Sequence, residues 1–160
     1  MKALSDIVML DLTHVLAGPY GTMLLADLGA RTIKIEPLGG ELTRGFLADD
    51  PKHAFKGMGA YSLALNRNKQ SVCLDLKREE GLALFYDLVA KADVVFDNFS
   101  AGVTERLKID HPRLTVVNPR IVSCSVTGFG HTGPGRDRTA FDMVVQAGGG
   151  GMSITGTPAV

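Results

Sequence analysis

Residues 7–36 read IVMLDLTHVLAGPYGTMLLADLGARTIKIE. Ile7–Leu12 is a bounded apolar run broken only by Asp11, which predicts a strand. Pro19–Leu28 predicts a helix. It opens on Gly18-Pro19, where the missing N–H of proline needs no partner, and it closes at Gly29, a natural C-terminal stop. Arg31–Glu36 alternates apolar and polar residues, as a half-covered strand does. Strand, helix and strand follow at short intervals, so the two strands lie parallel with the helix on one face.

The pattern continues along the chain. Ser71–Leu76, Asp93–Phe96 and Ile121–Val126 predict three further strands. Arg78–Ala92 predicts a helix, because Leu82, Phe85, Tyr86 and Val89 fall on one face of a 3.6-residue period. Glu79 and Glu80 in its first turn and Lys91 in its last match the helix dipole. Shorter helices are expected at Gly102–Leu107, starting from Ser100, at Pro112–Val117 after Asp110 as N-cap, and at Ala140–Ala147. The expected architecture is α/β and Rossmann-like, a mostly parallel sheet with helices on both faces. Residues 1–147 form this domain, and residues 148–160 form a glycine-rich exit after which the chain reads as interrupted. Pro37–Asn66, about thirty residues without a clear element, exceeds ordinary loop lengths. It is expected to be a functional cover or to contain unrecognised helix.

The 160 residues suffice for one buried core, with ~70% of the unfolded chain's surface removed from water. Composition is 45% hydrophobic and 21% charged, a soluble globular profile. Seventeen basic residues balance seventeen acidic ones, so a nucleic-acid binder relying on counterion release is not expected. No apolar run approaches a membrane span. The amino end meets Asp6 before any signal-like stretch develops, so a cytoplasmic location is expected. Cys73 and Cys124 make no disulfide framework; both fall in predicted strands and read as small buried hydrophobes. His14, His53, His111 and His131 are scattered, without metal-ligand spacing. His14 is the most interesting of them, and His111 reads as surface.

Ligands of parallel α/β sheets sit beyond the carboxyl ends of the strands. Four segments reach that rim. Thr13–Pro19 joins the first strand to the first helix, and its N–H groups suit an anion; it also reads as an ordinary strand-to-helix turn. Leu74–Arg78 places two cations where a strand turns into a helix, against the dipole, which points to a bound anion or to a solvated surface turn. Asp97–Ser100, with Arg106 beyond it, offers an amide and an aromatic ring, or merely an Asx-type turn with Phe99 in the core. Thr127–Gly135 contains G-x-G-x-x-G at Gly128, Gly130 and Gly133, but Pro134-Gly135 breaks the helix that a dinucleotide fingerprint requires. A mobile glycine-rich flap is the expectation there. Asp142 falls in the first turn of the last helix, where a carboxylate is stabilising without any catalytic role.

In this order the segments resemble the class III CoA-transferase family, which includes formyl-CoA transferase, carnitine CoA-transferases and α-methylacyl-CoA racemase. The matching stretches are Val8–Pro19, Asp27–Pro37, Leu42–Gly45, Asn66–Lys77, Ala92–Phe99, Asn118–Gly128 and Ala140–Gly156. The resemblance implies a coenzyme A site built from Val15, Leu16 and Ala17, from Leu74, Asp75, Leu76 and Lys77, and from Asn98, Phe99 and Arg106. Pro37 stands where some members place an arginine near the adenosine. The implied reaction moves CoA from an acyl-CoA to a free carboxylic acid through an aspartate that attacks the thioester. That aspartate belongs to a segment after the stretch matching Ser153–Val160, so no catalytic residue is assigned here. CoA is a substrate, and no permanent cofactor or metal is implied. A homodimer is implied for the full-length form, and the 160 residues alone are expected to be inactive. Phe141 stands where the racemase branch has a histidine, which favours transfer over racemisation. Two other readings stay open: a nicotinamide-dependent oxidoreductase built on the glycine loop, and a non-catalytic CoA- or nucleotide-binding remnant.

Overall fold

A computed structural model describes residues 2–157. Five parallel strands form the main sheet: β1 (Val8–Asp11), β2 (Arg31–Glu36), β5 (Lys69–Cys73), β6 (Val94–Asp97) and β7 (Val122–Ser125). A two-residue hairpin, β3 (Ala54–Phe55) and β4 (Met58–Gly59), pairs separately. The sheet order is β5-β2-β1-β6-β7. The strand order therefore reverses at β1, which pairs with β2 on one side and β6 on the other. The expected Rossmann-like architecture is present.

Helices cover both faces. On one face α3 (Glu79–Val89) and α5 (His111–Val117) close a dry core, in which Leu10, Phe85, Val89 and Leu114 are fully buried. The predicted face of α3 supplies Phe85 and Val89. On the other face lie α1 (Ala17–Asp27) and α2 (Ala60–Leu65). Two further short helices, α4 (Val103–Arg106) and α6 (Asp142–Gly148), complete the set. α1 begins two residues before Pro19 and ends as expected, with Gly29 at φ +111° behind its last turn. α4 starts from Gly102 in a left-handed conformation rather than from Ser100. Asp110 is the N-cap residue of α5, but its carboxylate bonds the Arg113 guanidinium instead of a helix amide.

Several expectations need correction. The third main strand is Lys69–Cys73, not Ser71–Leu76: Leu74 still donates its N–H to the Glu36 carbonyl at 2.8 Å, and the chain then turns. Cys73 is exposed and Cys124 half-buried, so neither is the buried hydrophobe expected. Both lie on the outermost strands of the sheet, where cover is thinnest. Strand β2 is not half-covered. Thr32, Lys34 and Glu36 all point to the α1/α2 face and are 2% exposed or less. The Pro37–Asn66 segment does contain unrecognised helix, the 3-10 turn Leu42–Gly45 and α2, alongside the hairpin.

Candidate functional site at the strand reversal

A cleft of about 240 Å³ opens at the carboxyl ends of the strands. Leu12, Thr13 and His14 follow β1; Ile35 and Glu36 end β2 and Pro37 follows it; Leu74–Lys77 follow β5; Phe99 follows β6; Leu107 and Glu41 close the wall. Its walls are mainly apolar. Lys77 is the cation among the described lining residues, and Arg78 turns away to Glu80 at 3.4 Å. Burial lowers the pKa of His14 most, against weaker opposition from acids such as Glu41. Its imidazole is therefore neutral at neutral pH and lies 5.1 Å from the Phe99 ring. The volume falls below the ~300–1,000 Å³ of pockets that take a whole drug-sized ligand. It suits one ring system of a larger molecule that continues over the rim.

The turn from β1 into α1 borders this cleft and is held by side chains from four places. The Thr13 N–H and hydroxyl donate to Asp11 Oδ1, at 2.9 and 2.5 Å. Lys34 Nζ donates to the Thr13 carbonyl at 2.6 Å. The Asn98 amide bridges His14, accepting its N–H at 2.9 Å and donating to its carbonyl at 2.8 Å. The Val15 N–H donates to Glu41 Oε1 at 3.2 Å. Gly18 lets α1 approach this assembly, since a Cβ there would lie 2.5 Å from Thr13 Cβ. Leu16, the N-cap residue, has no side-chain oxygen to cap α1, and no acid occupies the first turn. The amino end of α1 thus keeps amides and a positive dipole end for an anion.

Behind the turn runs a network of ionised groups that the sequence pattern did not disclose. Lys69 and Asp11 form an ion pair at 2.9 Å with both side chains almost fully buried. Lys69 Nζ also donates to the Thr22 hydroxyl and the Pro19 carbonyl. Glu36 accepts four hydrogen bonds: Arg44 Nε at 2.6 Å, Arg44 Nη2 at 2.5 Å, the Ser71 hydroxyl at 2.6 Å and the Glu41 N–H at 2.8 Å. Burial raises the Glu36 pKa, but these donors together outweigh it and hold the carboxyl at about 2. A second cavity of about 230 Å³ lies against this network, lined by Lys34, Arg44, Arg67 and Lys69 among others. Each of these cations already has a partner, Asp27 serving Arg67. Asp11, Lys34, Glu36 and Lys69 share one face of the sheet through the register of β1, β2 and β5, which the sequence does not state.

The predicted site residues divide. Leu74, Asp75, Leu76, Lys77 and Phe99 line the cleft. Val15, Leu16 and Ala17 sit on the adjoining turn, exposed and outside the lining. Asn98 faces the turn rather than the cleft. Arg106 is exposed on α4, and its neighbour Leu107 reaches the wall instead. Sequence reasoning missed Leu12, Ile35, Glu36, Glu41 and Leu107. The glycine loop 127–135 opens no helix; the next one starts at Asp142. The Asp142 carboxylate accepts from Gln146 at 2.6 Å on the surface. Among the described residues no group of three metal-ligating side chains converges, and no helix is long and apolar enough to cross a membrane.

A parallel sheet in this order, with a crevice where the order reverses, is a doubly wound α/β fold, a class in which ligands bind at such a crevice. Residues 4–160 match the family model for CoA-transferase family III, and the chain belongs to that family. It is 45% identical over 155 residues to the acetyl-CoA:oxalate CoA-transferase of Acetobacter aceti, covering 95% of this chain and 38% of that protein. Identity to the succinyl-CoA:mesaconate CoA-transferase of Haloarcula hispanica is 44% over 163 residues, 98% of this chain and 40% of the relative. A CAIB/BAIF family protein from Brucella suis superposes with a TM-score of 0.91 at 40% identity, over 99% of this chain and 42% of that one. The chain thus spans about two fifths of the length of these relatives.

Proposed function

We propose that these residues form the CoA-binding portion of a CoA-transferase that moves CoA from an acyl-CoA to a carboxylic acid. One observation carries the reading: Leu74–Lys77 and Phe99, from separate loops, converge on a single cleft beside the open amino end of α1. Apolar walls suit a base or the pantetheine arm, while Lys77 and the α1 amides suit phosphates. The proposed site extends to Val15, Leu16 and Ala17 on the adjoining turn, to Asn98 that holds this turn, and to Arg106 on α4.

The attacking carboxylate is assigned to a segment outside these 160 residues. The acids lining the cleft are engaged: Glu36 with four donors, Glu41 with Val15 and Thr43, and Asp75 with the Lys77 N–H. The relatives named above act on oxalate and mesaconate, so a small dicarboxylate acceptor is the class we favour. A homodimer in the cytoplasm is the expected setting of the whole protein.

The oxidoreductase reading fares worse. That reading rests on the glycine loop 127–135, and a dinucleotide fingerprint opens directly into a helix; here the next helix after β7 starts only at Asp142.

The test is thermal unfolding with CoA or NAD, because a ligand of the native state must stabilise it. CoA raises the melting temperature, NAD does not, and Lys77→Glu reduces the CoA shift. A shift with NAD alone, or an unchanged CoA shift in Lys77→Glu, contradicts the assignment.

A further inference from the structure

We propose that Asn98 is a positioning residue: its amide holds the β1–α1 turn in a strained, ligand-ready shape and acts on the ligand only through that turn. The proposal rests on reading the adjoining crevice as the CoA site. Val15 has φ +66°. A β-branched residue is a genuine outlier there, and such strain persists only where surrounding structure over-determines it. Three side chains do so here. Lys34 fixes the Thr13 carbonyl, Asn98 fixes both backbone groups of His14, and Glu41 fixes the Val15 N–H.

Asn98 is the clean probe of the three. Lys34 and Glu41 are buried charges, so removing either disturbs the ionised network as well. Asn98 is neutral and half-buried. It follows β6, which pairs with β1. Its amide therefore ties the end of β6 to the turn that leaves β1. The amides of Leu16 and Ala17 follow Val15 directly, so their direction depends on its φ. Released from Asn98, the turn relaxes toward negative φ and carries those amides with it.

A double-mutant cycle separates positioning from direct contact. Glycine adopts positive φ without steric cost, so Val15→Gly removes the strain that the clamp opposes. CoA affinity, read by titration calorimetry, falls about tenfold on Asn98→Ala in the wild-type background and less than about threefold in the Val15→Gly background. An equal loss in both backgrounds makes Asn98 a direct ligand contact and overturns the proposal. Amide exchange gives a second readout that needs no ligand. In Asn98→Ala the Val15 amide exchanges at least about tenfold faster while the Leu10 and Val95 amides keep their protection; unchanged Val15 exchange also overturns it. Should Asn98→Ala fail to fold, Asn98→Asp enters the same cycle, keeping the acceptor for the His14 N–H and losing the donor. If wild type binds no CoA, the reading of the crevice fails, and the exchange arm still decides the clamp.

Discussion

Glu36 is held by two Arg44 nitrogens, a serine hydroxyl and a backbone amide, and its folded pKa of about 2 lies below the ordinary 4.5. A depressed carboxyl pKa contributes stability that is fully present above pH about 4.5 and lost as pH falls towards about 2. The contribution is no more than about 3 kcal/mol, reduced by screening because Arg44 is partly exposed. Glu36→Gln should therefore flatten the acid limb of a melting-temperature profile across that window; parallel profiles for the two proteins would contradict it. The Lys69–Asp11 pair should behave as a buried one. Lys69→Met leaves buried Asp11 without its cation, and urea unfolding should show a loss of about 3–5 kcal/mol. A loss under about 1 kcal/mol would place the pair with surface bridges. These residues were illegible in the sequence for a physical reason. In RTIKIE the charges alternate with isoleucines as they would on a wetted face, and pattern alone does not distinguish water from a paired charge on a second layer. The Asn98 amide was visible as a polar group at a strand end, but its partner lies 84 residues away.

The strands and helices themselves were largely legible, since each carries a period or a stop signal of its own. The displaced β5 shows where this runs out. Val72, Leu74 and Leu76 all pack against the core, as the alternation of SVCLDL implies. Strand pairing nevertheless ends at Cys73, because the 74–77 run bends to form the cleft wall. α3 starts close against this run, and Gly81 makes the approach possible: a Cβ there would lie 2.2 Å from the Asp75 carbonyl oxygen. Gly81→Ala should cost about 1–3 kcal/mol by overpacking and weaken CoA binding through displacement of Lys77. Gly39→Ala, where a Cβ meets nothing within 4 Å, is the matched control. Denaturation and titration of both variants check this; equal behaviour of the two would remove the close approach from the account.

At the scale of the whole molecule, the dry core and the rim of the crevice use opposite resources of one sheet. The α3/α5 face supplies hydrophobic burial, while the α1/α2 face supplies charges that fix the rim. One region fits neither. Phe141, Met143, Val145 and Ile154, on α6 and the 3-10 turn Gly151–Ile154, are more than half exposed. Exposed apolar surface of this kind drives association, so sedimentation velocity should show larger species as concentration rises, and Phe141→Ser should reduce them. Concentration-independent sedimentation would contradict that. The parallel α/β class and the family were within reach of the sequence, because strands and helices alternate and loop residues at strand ends keep their order along the chain; the order of strands across the sheet was not read from it. The division of labour between the two faces was not, because it depends on which helix covers which side.

Amide chemical-shift mapping of the labelled chain during CoA titration tests the proposed CoA site at the strand reversal. Saturable shifts concentrated in residues 12–18, 74–77 and 98–107 are expected. No shifts at saturating CoA, or shifts confined to the cavity lined by α2 and β5, would contradict it.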